Sequence, residues 1–148
     1  PRGSIDRLRA RAAHVAYCPR ASAYFAAERR FGAHRYADML DAGVNVCLGT
    51  DSIVNLDTPD RIGVLDEMRL LRRRDAAPAE RLFAMATVNG ARALGLDPDA
   101  FRFTIGRPLA GLVAVPAGGP PGPGPRDAAL DADAPPIPVL LARPTWSG

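Results

Sequence analysis

The stretch Val44-Asn45-Val46-Cys47-Leu48-Gly49-Thr50-Asp51 decides the fold. Its first five residues form a nearly continuous apolar run of strand length. A strand covered on both faces reads this way, and such strands belong to parallel sheets with helices on each side. Residues 35–42 before it carry Tyr36, Met39 and Leu40 at helical spacing. Gly43 follows where a helix end often needs positive φ. Glycine and threonine then lead to a carboxylate, Asp51, at the point where the strand becomes a loop.

Upstream, residues 4–13 place Ile5, Leu8 and Ala12 on one helical face, and residues 14–18 form a second short apolar run stopped by Pro19. Residues 20–25 read as a loop. Downstream, Thr58 and Pro59 carry the signature of a helix start, with Val64, Leu65, Met68 and Leu71 along its stripe. Pro78 opens another helix holding Leu82, Phe83 and Met85, and Thr87 caps a last one, residues 88–94, closed by Gly95. The order is helix, strand, helix, strand, helix, helix. This βα repeat predicts an α/β chain with parallel strands. Two strands cannot close a sheet, so the chain, which opens on Pro1, reads as a fragment of a longer one.

Beyond Gly95 a strand pair is expected from residues 101–104 and 109–115 around Gly106. Residues 116–138 are rich in Pro, Gly, Ala and Asp, which predicts a flexible surface segment. The apolar residues 137–141 return as an edge strand or stay frayed.

The net charge is +3, and every one of the 19 Lys or Arg residues is arginine. These arginines alternate with acids and form no long basic block, which argues against a nucleic-acid partner. The one exception, Arg72-Arg73-Arg74, suits the C-terminal end of a helix dipole. No apolar run approaches the ~18 residues of a membrane span, so no membrane association is expected. Cys18 and Cys47 sit in apolar segments without paired spacing, as buried thiols do in a reducing compartment, and a cytoplasmic location follows.

Three groups are candidates for chemistry. Asp51, past a strand end, can bind a metal, orient water or take a proton, or simply cap a turn. Arg20 can hold an anionic or carbonyl group of a substrate, or pair with a nearby Asp or Glu; Ser22 can donate a hydrogen bond. Glu67 reads as a structural ion-pair partner for Arg69, Arg72 or Arg20. His14 and His34 are the only histidines, too few for a three-histidine metal site.

Four segments, taken together, resemble the amidohydrolase superfamily: residues 17–24 (YCPRASAY), 39–52 (MLDAGVNVCLGTDS), 65–69 (LDEMR) and 85–95 (MATVNGARALG). The similarity lies nearest the aminohydrolase and chlorohydrolase branch, which includes aminodeoxyfutalosine deaminase-like proteins. It implies the C-terminal portion of a (β/α)8 TIM-type barrel, with the strand before Pro19 as the seventh and that ending at Leu48 as the eighth, plus part of a small β-sandwich. Residues 1–100 then belong to the barrel, 101–116 return into the sandwich, and 117–148 form a Pro/Gly-rich tail. The implied activity is metal-dependent hydrolysis of non-peptide C–N bonds, namely deamination of a cyclic amidine or purine-like small molecule.

In that family Asp51 corresponds to the eighth-strand aspartate that touches the metal and shuttles a proton. Arg20, Ser22 and Ser52 would line the substrate pocket. The cofactor implied is a divalent metal, zinc by expectation, ligated mostly by residues outside this chain. The 148 residues alone are therefore expected to be inactive, and the full-length protein to be a possible homo-oligomer. The family often has His where this chain has Tyr17, and Ser-Asn where it has Ala21-Ser22. The alternative is a non-catalytic truncated remnant or an interaction module of the same fold.

Overall fold

The computed structural model describes residues 2–58, 61–116 and 124–139. Helix α1 (Arg2–Ala10) runs into strand β1 (His14–Tyr17). Three short helices follow, α2 (Pro19–Tyr24), α3 (Ala27–Phe31) and α4 (Tyr36–Asp41), and lead to β2 (Asn45–Leu48). The two strands pair in parallel, with His14 opposite Asn45 and Tyr17 opposite Leu48. Gly49 N–H donates to Tyr17 O at 2.9 Å and extends the ladder by one step. Gly43, at φ 82°, makes the left-handed exit from α4 that glycine tolerates best.

Strand alternation sorts the side chains. Val15, Tyr17, Val46 and Leu48 face the helices and join one apolar cluster, while His14 and Ala16 point away and are exposed. Helix α5 (Val64–Asp75) contributes Met68 and Leu71 to that cluster, and α6 (Ala79–Ala86) contributes Leu82 and Met85. These four are buried because the i, i+3 spacing brings each pair onto one helix face. Helix α7 (Val88–Ala93) docks on β2 by polar means: Asn89 Nδ2 donates to Val46 O at 2.9 Å, and Asn45 Nδ2 donates to Asn89 O at 3.0 Å.

Several local expectations are corrected. Residues 20–25 are mostly helix rather than loop, because Pro19 both ends β1 and occupies the first turn of α2, where its missing N–H costs nothing. Helix α5 begins at Val64, not at Thr58. Thr58 Oγ1 instead donates to Arg61 O and accepts from Arg20, so a tertiary partner takes the hydroxyl that a cap would have used. Pro59 lies outside the described residues. Strand β3 (Leu112–Ala114) pairs antiparallel with β4 (Ile137–Val139), not with residues 101–104, where a 3-10 turn (Pro98–Phe101) ends.

The expected tail also departs from a solvated segment within 124–139. Helix α8 (Pro125–Asp131) buries Leu130 in the main cluster. The side chain of Arg69, 1% exposed, donates through Nη2 to Ala129 O at 3.3 Å and Ala134 O at 2.7 Å. Composition alone gave too little apolar surface to hold this segment; backbone carbonyls and one leucine make up the difference. Of the arginine triplet, Arg72 pairs with Asp127 at 2.8 Å and Arg74 with Glu28 at 2.6 Å. No helix among the described residues is long and apolar enough to cross a membrane.

Candidate functional site

Parallel strands deliver their C-terminal ends to one side, and the loops that follow gather there. On that side Cys18 follows β1, and Gly49, Thr50 and Asp51 follow β2. Asp51 is exposed and sits at φ 59°, a left-handed conformation that Asp tolerates better than most residues. Its Oδ2 accepts from Asn55 Nδ2 at 3.1 Å. Asn55 is buried and belongs to a 3-10 turn (Ile53–Asn55), so one carboxylate oxygen is anchored to an ordered loop.

Cys18 packs closely under this turn. A Cβ placed on Gly49 would lie 3.0 Å from Cys18 Sγ, so glycine is what lets thiol and backbone approach. Burial raises the Cys18 pKa, and the negative charges of Asp51 and Glu67 raise it further, so the group stays a neutral thiol. Burial likewise raises Cys47, whose Sγ donates to Val15 O. Neither is a reactive thiolate.

The charged centre of the region is Arg20. Its backbone N–H donates to Glu67 Oε2 at 2.9 Å, and its Nε donates to Glu67 Oε1 at 2.7 Å. Nη1 reaches Asp57 Oδ1 at 3.2 Å and Thr58 Oγ1 at 2.7 Å. The side chains of Arg20 and Glu67 are 5% and 0% exposed. Burial works to lower the Arg20 pKa, yet Glu67 and Asp57 raise it beyond its ordinary value and keep the guanidinium charged. Burial raises the Glu67 carboxyl, and the Arg20 donors offset that only in part. Of the two readings of Arg20, pairing with a carboxylate is the one found.

Ser22 lines a cleft of about 390 Å³ with Tyr24, Glu28 and Arg29. Arg20 lines a separate cleft of about 280 Å³ with Tyr24, Asn55, Leu56, Asp57 and Leu70. Asp51 and Ser52 line neither of these two clefts. Ser52 is exposed beside Asp51, and its carbonyl accepts from Asn55 N–H at 3.0 Å. Asn55, Asp57 and Thr58 were missed in sequence. An Asn four residues after a loop Asp was the one local signal available.

Among the described residues no three His, Cys, Asp or Glu side chains come together as a metal site. Asp51 offers one oxygen donor of the kind a divalent cation takes, and the remainder of a ligand set is not found among the described residues. His14 is exposed, with Nδ1 2.8 Å from Asn45 Nδ2. His34 stacks on Tyr17 with ring centroids 3.8 Å apart.

Two parallel strands joined by helices, with a carboxylate just past the C-terminal end of the second, make a βα unit. The chain belongs to the amidohydrolase family, whose model matches residues 2–136. It is 34% identical over 116 residues to a 5-methylthioadenosine/S-adenosylhomocysteine deaminase of Syntrophobacter fumaroxidans, a match covering 75% of this chain and 25% of that protein. It is 39% identical over 69 residues to a 5'-deoxyadenosine deaminase of Methanococcoides burtonii, covering 43% and 16% respectively. A 5-methylthioadenosine/S-adenosylhomocysteine deaminase of Thermococcus onnurineus is 50% identical over 66 residues, covering 39% of this chain and 15% of that one. The chain thus spans about a quarter or less of the length of these relatives. No solved structure matches it.

Proposed function

We propose that these residues are the C-terminal part of a (β/α)8 hydrolase that removes an amino group from the cyclic amidine of an adenine-type nucleoside. In this reading β1 and β2 are the seventh and eighth barrel strands, residues 1–100 belong to the barrel, and residues 101–116 lead into a small sandwich. The observation that carries it is Asp51: a carboxylate at the C-terminal ends of parallel strands, one oxygen held by Asn55. The relatives named as deaminases of 5-methylthioadenosine, S-adenosylhomocysteine and 5'-deoxyadenosine give the substrate class.

The reaction needs water to add to the amidine carbon, one proton to leave that water, and one proton to reach the departing amine. Asp51 accepts one water proton as the C–O bond forms and the C=N electrons move onto the ring nitrogen, and it delivers that proton to the amine as the C–N bond breaks; ammonia leaves, and the second water proton passes from the oxygen to the ring nitrogen, leaving a ring carbonyl. A divalent cation, zinc by expectation, would lower the pKa of the attacking water; Asp51 would be its ligand from this chain, with the others on the rest of the protein. Ser22 and Ser52 are the hydrogen-bond donors to substrate in this reading. The setting proposed is cytoplasmic.

The test uses the full-length protein, with ammonia release measured from each of the three substrates. Asp51→Asn removes the base while keeping the shape, and a loss of roughly 10²- to 10⁴-fold in kcat is expected. Near-normal turnover by that variant would remove Asp51 from the reaction. A full-length protein with no activity and no bound zinc, iron or manganese would favour a non-catalytic remnant of the fold.

A further inference from the structure

We infer that Arg20 and Glu67 form a buried clamp that sets the position of the loop carrying Asp51, and that both are positioning residues for deamination. The inference deepens the reading above and rests on it. Four contacts define the clamp. Glu67, fully buried on α5, accepts from both the backbone N–H and the Nε of Arg20, at 2.9 and 2.7 Å. That fixes the first turn of α2, directly after Cys18, against α5. The far end of the same guanidinium, Nη1, holds Asp57 Oδ1 and Thr58 Oγ1. Those two residues end the stretch 51–58 of the loop that Asp51 opens, which runs on to α5 at Val64.

The stretch 49–58 is therefore held at both ends. At its start, Gly49 pairs with Tyr17 O and Asp51 is tied to Asn55. At its finish, Arg20 is the tie. Between them Asn55 N–H donates to Ser52 O and Leu56 N–H to Ile53 O. Asp51 stands in left-handed backbone, a conformation that persists where the surrounding structure over-determines it. A planar fork with donors on both edges joins three elements at once, which a lysine ammonium does not reproduce.

A structural role alone would be met by any pair that packs well, because buried ion pairs are often replaced by apolar residues without loss of stability. The clamp reading says that such a replacement keeps the fold and loses the reaction. In the full-length protein, Arg20→Met with Glu67→Leu should melt close to wild type yet turn over at least ten-fold slower, with the loss in kcat rather than KM. Recovery of both stability and turnover would overturn the clamp. Should that pair fail to fold, Asp57→Asn with Thr58→Val cuts only the loop end. Asp57 is 79% exposed, so melting should hardly move while kcat falls about ten-fold. Unchanged kcat would again overturn the inference.

Hydrogen exchange of the Asn55 and Leu56 amides gives a readout independent of activity. Both variants should speed exchange across residues 51–58 by ten-fold or more, and unchanged exchange refutes the clamp even if the wild type proves to have no deaminase activity. A wild type that deaminates, an inactive Asp51→Asn and fully active clamp variants would sink the clamp while leaving the proposed function standing.

Discussion

Leu130→Ala in the full-length protein tests whether residues 124–139 are built into the molecule. Leu130 is 2% exposed and lies in the same cluster as Met68, Leu71, Leu82 and Met85. The substitution removes three buried carbons at about 0.8 kcal/mol each, about 2.4 kcal/mol before any cavity term. Leucine-to-alanine changes in well-packed cores reach about 2–5 kcal/mol when the site cannot collapse. Helix α8 can open without global unfolding, so the effect is best read locally. The Ala128 and Ala132 amides, bonded to Gly124 O and Ala128 O, report its opening by hydrogen exchange. A change of 2.4 kcal/mol corresponds to about 50-fold faster exchange. The same amides should respond when Arg69 loses its contacts to Ala129 O and Ala134 O. Exchange within two-fold of wild type after Leu130→Ala would mean that the leucine is not packed, and the account of this segment would fall.

Further outcomes follow from other sites. Burial lowers the His34 pKa below its ordinary value, and Nδ1 is buried without a partner. The unfolded chain, titrating near 6.5, then binds more protons than the folded one, so stability is full above that value and falls as pH drops through the folded pKa. Melting temperature should decline as pH falls below about 6.5, and His34→Phe, which can still stack on Tyr17, should flatten that slope; an unchanged slope would exclude His34 as its source. Gly49→Ala should destabilise by about 1–3 kcal/mol through contact with Cys18 Sγ, and Cys18→Ala should rescue it. Additive effects in a double-mutant denaturation cycle would show that the two do not touch.

Much of the frame was legible in sequence because it is written in apolar spacing. Residues 44–48 and 14–17 show strand character, and the stripe of Met68 and Leu71 shows the helix that covers them. The place of Asp51 follows from the same reading, since a residue just past an apolar strand must lie at its C-terminal end. Long-range polar choices were not legible in full. Glu67 was a candidate partner for Arg20, yet nothing local ties Arg20 to Asp57 and Thr58, which lie 37 and 38 residues away. Thr58 looked like a helix cap because composition cannot show that a guanidinium claims its hydroxyl. Helix α8 was hidden for the same reason: its stability rests on Leu130 and on carbonyls offered to Arg69, and a Pro- and Ala-rich string gives no sign of either.

All the buried cations of this region are guanidiniums, and that limits how its charge framework can be dismantled. A lysine in place of Arg20 or Arg69 would give the interior two exits, loss of a proton from the amine in alkali and gain of one by the carboxylate in acid. A guanidinium keeps its proton at any pH a protein survives. The Arg20–Glu67 and Arg69–Asp66 pairs can therefore be discharged from one side only. The acid side is where the framework is vulnerable, and in alkali it holds for as long as the rest of the chain does.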